Sequence, residues 1–123
     1  LWKRNMDEGL VGEVSELVLD LDERILKTVI SGMDAKSVAA LIQAMEPIAH
    51  DRLFSCVTSN RGKKILDALE ASSPLGVNEL TRRAQMFAQK VLAEIAPKSK
   101  ALGKALPIPA RVRHLLSAIL SRE

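Results

Sequence analysis

A twelve-residue apolar repeat runs five times through the first half of this chain. Leu17, Val18 and Leu21 are followed twelve residues on by Val29, Ile30 and Met33. The series continues with Leu41, Ile42 and Met45, then Leu53, Phe54 and Val57, then Ile65, Leu66 and Leu69. All fifteen positions are apolar, although only 47% of the chain is. A repeat of this kind means stacked units that share one core, because no single unit can bury its own apolar face.

The units read as short helices. Within each, apolar residues recur at i, i+1 and i+4, which is one helix face. The core has to be aliphatic: Trp2, Phe54 and Phe87 are the aromatic residues, and there is no Tyr. That composition suits helices better than a β-sandwich. Asp22, Asp34, Glu46 and Thr58 stand where the units begin. Oxygen-bearing side chains there accept from the free N–H groups of the first turn, and acids also suit the helix dipole. Pro47 falls at a first helical position, where proline is tolerated. The spacing predicts helices near 9–20, 23–32, 35–45, 47–57 and 59–71. Ser72, Ser73, Pro74, Leu75 and Gly76 make a turn, and Asn78 opens a longer helix near 79–96 that serves as lid or spine. Residues 97–109 contain three prolines and read as a linker. A last amphipathic helix, near 110–121, either docks on the body or seeks a partner. The domain reading is therefore a helical body over 1–96, a linker over 97–109 and a tail helix over 110–123.

Charge divides the chain. Residues 1–95 hold 12 Lys/Arg against 14 Asp/Glu, whereas 96–123 hold six basic residues against Glu123 alone. The overall charge of +3 is thus a property of the tail. Those six residues could contact phosphates, but no aromatics interleave to stack bases, and a solvated linker accounts for them. Leu1 stands in place of an initiating Met, so the sequence reads as an excerpt or a processed chain.

Catalytic patterns are thin. His50 and His114 fall in no metal-ligand spacing. Gly62-Lys63-Lys64 follows no strand and lacks the second glycine of a phosphate loop. No serine, histidine and acid fall in a persuasive order. Cys56 is a lone cysteine on an apolar flank, read as a small buried hydrophobe, and it favours a reducing compartment. The expectation is a non-enzyme with no metal and no cofactor. The helix near 59–71 carries Arg61, Lys63, Lys64, Asp67 and Glu70 around an apolar stripe. On a repeat scaffold such a face is a natural docking ridge, with charge setting orientation and on-rate.

Leu21-Asp22-Glu23-Arg24, then Met33-Asp34, then a charged helix before a proline turn, and Ala84-Gln85 on the long helix resemble the C-terminal domain of the flagellar motor switch protein FliG. The resemblance covers about residues 16–95. It implies an all-α fold of stacked short helices, an armadillo-like right-handed superhelix with a longer packing helix. It also implies a rotor component at the cytoplasmic face of the inner membrane. There, charged residues on one helix face a stator's cytoplasmic loop, and a neighbouring switch protein and further copies complete a ring. Carried onto this chain, the partner-binding residues are Arg61, Lys63, Lys64, Asp67 and Glu70. Gln43 and Asn60 stand where the family has basic residues, and Asp67-Ala68 where it has paired acids, which marks a divergent member or paralogue. A different class of reading is a non-flagellar helical adaptor, or the cytoplasmic regulatory domain of a transporter such as MgtE, with similar short helical repeats.

Overall fold

The computed structural model describes residues 8–101 and 109–122, with side chains for 9–95 and 109–122. Among the described residues seven helices follow one another: α1 (Glu8–Asp20), α2 (Glu23–Ser31), α3 (Ala35–Ile42), α4 (Pro47–Ser55), α5 (Ser59–Ala71), α6 (Val77–Ala101) and α7 (Ala110–Leu120). The fold is all-α, as the repeat predicts, with no strand among the described residues. The second to fifth helices start where the capping residues stand. Asp22 Oδ1 accepts from the Arg24 N–H at 2.8 Å, and Thr58 Oγ1 from the Arg61 N–H at 3.2 Å. Asp34 and Glu46 hold the N-cap positions in extended backbone without a side-chain cap bond. Hydrogen bonding from the Ser37 hydroxyl holds the Asp34 carboxyl below the ordinary carboxylate value. Glu46 is anchored through its backbone instead. Its N–H donates to the buried Ser15 Oγ at 2.8 Å, and that hydroxyl donates to Val11 O at 2.7 Å.

Two boundaries differ from the sequence reading. The long helix starts at Val77 and runs on to Ala101, so residues 97–101 of the expected linker are helical. The remainder of that linker, 102–108, lies outside the described residues. The tail helix docks on the body: Val112, Leu115, Leu116 and Ile119 are buried in the common core. α7 packs against α1 and α6. Arg111 Nε donates to Asp20 at 2.6 Å and its Nη2 pairs with Glu16, while Arg122 meets Glu13 at 2.9 Å. Arg111 and Arg122 therefore neutralise acids of α1, which accounts for part of the basic excess of the tail.

α6 is the spine. It packs against α2, α3 and α7, with Leu80, Ala84, Phe87, Ala88, Val91 and Ile95 buried. Alanines at 84 and 88 let neighbouring helices approach closely, and Phe87 fills the space between them. Of the fifteen repeat positions, eleven are buried. Phe54, Val57 and Leu69 are half-buried, and Leu66 is 46% exposed. Burial falls away in the last units because α5 lies at an edge, packed mainly on α3.

Gly62 is buried in the interior of α5, and a Cβ there would meet Phe54 Cδ1 and Val57 Cγ2, both at 3.7 Å. That is ordinary contact, so Gly62→Ala gains helix propensity without a clash. The expected result is a gain of about 0.5–1 kcal/mol, read as a rise of a few degrees in thermal midpoint. A fall in midpoint would mean that α4 and α5 sit too tightly for a methyl group.

Candidate functional site

The repeat has a second meaning at the helix ends. The last carbonyls of a helix have no partner within it and need donors from elsewhere. Here other helices supply them. Arg52 on α4 donates through Nε to Val18 O at 2.9 Å and through Nη2 to Leu21 O at 2.8 Å, closing α1. Arg61 on α5 donates through Nη2 to Ile30 O at 2.8 Å and to Met33 O, closing α2. His50 Nε2 lies 3.0 Å from Ile42 O and 3.1 Å from Met45 O, closing α3. Both neighbours are acceptors, so Nε2 carries the proton. Gln85 Nε2 does the same for α7, donating to Ile119 O at 3.3 Å and Arg122 O at 2.5 Å. The gripped carbonyls of the first three units are equivalent repeat positions: 18, 30 and 42, then 21, 33 and 45. Sequence reasoning missed Arg52, His50 and Gln85 because each reaches a helix end distant in the chain or set by tertiary packing.

These clasps decide which charged residues face solvent. Lys63, Lys64, Asp67 and Glu70 are all exposed on α5. Arg61 does not join them. It lies two residues before Lys63, about 200° round the helix, and its guanidinium is committed to α2. Its Nε is buried without a partner of its own. Of the five predicted contact residues, the fold thus brings four onto one exposed ridge and turns the fifth inward as an anchor. No ion pair links the four among the described residues.

Gln43 holds the far end of the ridge. Its Nε2 lies 3.2 Å from Ser72 Oγ and donates to Ser73 O at 3.2 Å, while its Oε1 accepts from the Leu75 N–H at 2.9 Å. The turn between α5 and α6 is therefore pinned to α3. A basic residue there could donate to Ser73 O but could not accept from Leu75. α5 is fixed near its start by Arg61 and beyond its end by Gln43.

Thr28, Val29, Gly32, Lys90, Ala93 and Glu94 line an open depression of about 210 Å3 between α2 and α6. That is below the usual volume of a small-molecule pocket, roughly 300–1,000 Å3. Among the described residues no group of His, Cys, Asp or Glu gathers as a metal site, and no helix is long and apolar enough to cross a membrane. Cys56 is half-buried and free. Compared with protein-family models, with curated proteins and with solved structures, the chain finds no match in any of the three.

Proposed function

We propose that this chain is a non-enzymatic rotor or switch component of the bacterial flagellar motor, akin to the C-terminal domain of FliG, and that it takes torque through α5. The reading rests on one observation: Lys63, Lys64, Asp67 and Glu70 form an exposed, internally unpaired ridge on an edge helix. The order of Asp22, Asp34 and the proline turn around that ridge supports it, by resemblance. A stator's charged cytoplasmic loop is the partner for the ridge. A neighbouring switch protein and further copies of the chain would complete a ring at the cytoplasmic face of the inner membrane. A torque-bearing face needs charge that reaches the partner and a base that does not yield. The clasps of Arg61 and Gln43 supply the base.

The test is charge reversal at two exposed positions, Lys64→Asp with Asp67→Lys. Exposed substitutions of this kind leave stability within about 0.5 kcal/mol. Misplaced like charges at an interface cost several kcal/mol. The expected result is lost swimming and lost rotation of tethered cells, with an unchanged thermal midpoint. Normal swimming in the double variant would remove the torque role from α5.

A further inference from the structure

The charges on α5 run in an unusual order. Lys63 and Lys64 precede Asp67 and Glu70, so the basic end of the ridge lies toward the helix N-terminus and the acidic end toward the C-terminus. The helix dipole favours the reverse, with acids in the first turn and bases in the last. α5 has neither: its first turn holds no acid and its last turn no base. The pair Lys63–Asp67 at i, i+4 also has the less favourable orientation for a helix. The ridge is therefore not arranged to stabilise its own helix.

Geometry adds a centre of symmetry. Lys63, Leu66, Asp67 and Glu70 fall at i, i+3, i+4 and i+7, a single stripe on one face. All four are exposed, and Leu66, at 46%, is among the most exposed large apolar residues described. Leu66 and Asp67 lie midway between Lys63 and Glu70. The ends of the stripe, Lys63 and Glu70, are complementary when it is turned end for end, and its middle holds Leu66 beside Asp67. Two such helices laid antiparallel about a two-fold axis set Lys63 of each copy against Glu70 of the other, and Leu66 of each against Asp67 of the other near the axis, so the two end pairs have to outweigh the approach of two Asp67 carboxylates. The opposed dipoles of antiparallel helices add to the match.

We infer that the α5 ridge docks antiparallel on the α5 ridge of a second copy of this chain, forming a weak isologous dimer held by reciprocal Lys63–Glu70 pairs around Leu66. The interface uses the face assigned above to torque and goes beyond that reading. A self-paired copy hides its ridge from any other partner, so the dimer is a disengaged form. One helix pair buries less than the roughly 1,200–2,000 Å2 of a stable complex, so association shows at high protein concentration.

The test is sedimentation equilibrium of the full chain, which needs no motor, so this inference and the torque reading fail separately. At low salt the wild type moves toward twice the monomer mass as concentration rises. At about 1 M salt, where the Debye length falls to about 3 Å, it returns to monomer. Lys63→Glu alone and Glu70→Lys alone each set like charges together twice and stay monomeric. An equimolar mixture of the two single variants associates, because each supplies what the other lacks. The double variant K63E/E70K dimerises again, because the swap preserves self-complementarity. A wild type that stays monomeric at low salt overturns the inference. So do single variants that dimerise as the wild type does, or a double variant that fails to recover.

Discussion

Phe87→Ala is expected to cost about 3–5 kcal/mol, the range for a buried aromatic side chain. Phe87 is fully buried near the middle of α6, which packs against α2, α3 and α7. Truncation removes a ring from the meeting point of several helices and leaves a void that they cannot close together. Domains of this size hold only about 5–15 kcal/mol in total, so the variant sits near the edge of folding. Urea denaturation should show a lower midpoint with an unchanged slope. Leu92→Ala on the same helix is the control, because Leu92 is 39% exposed and loses little on truncation. A loss for Phe87→Ala no larger than that for Leu92→Ala would contradict the placement of α6 as the spine.

Arg61→Met should come next, at about 1.5–3 kcal/mol, the range for hydrogen bonds to a charged donor, although Ile30 O keeps the Met33 N–H at 3.1 Å. The methionine keeps much of the aliphatic stem, so the loss reports the bonds to Ile30 O and Met33 O. Lys63→Met, also on α5, changes an exposed side chain and should stay within about 0.5 kcal/mol. Arg52→Met should resemble Arg61→Met, because it opens the end of α1 as the other opens α2. The two clasps share no partner, so their costs should add within about 0.5 kcal/mol. Native-state hydrogen exchange localises the effect. Arg61→Met should loosen the amides of α2 more than those of α1, and Arg52→Met the reverse. If Arg61→Met proved as harmless as Lys63→Met, Arg61 would return to the surface with the other charges.

Much of this arrangement is written in the chain. The twelve-residue period places five helices to within a few residues, because capping residues and an apolar face repeat together. Lys63, Lys64, Asp67 and Glu70 are exposed on α5, whereas Ile65 of the apolar stripe is buried. The angle round the helix does not by itself set Arg61 apart, since it lies only about 60° from Lys64. What it grips was not legible, because Ile30 and Met33 lie some thirty residues away. The same holds for Gln43, which sequence comparison marks only as a lost charge, yet which ties three backbone and side-chain groups of a turn. The run past Pro97 was hidden by reading proline as a stop. The docking of α7 stayed open because an amphipathic stripe says that a face is covered, not by what. The pairing of Arg111 with Glu16 and Asp20, and of Arg122 with Glu13, helps to fix the surface it covers, together with the buried α7 stripe and the Gln85 bonds.

The clasps also make the body a linkage. Each joins the side chain of one helix to the end of another, so it resists separation along its own length as a tie rod does. Arg61 ties α5 to the end of α2. α2 lies against α6, a helix of 25 residues, which spans about 37 Å. The edge helix is thus joined, through α2, to the longest of the described helices.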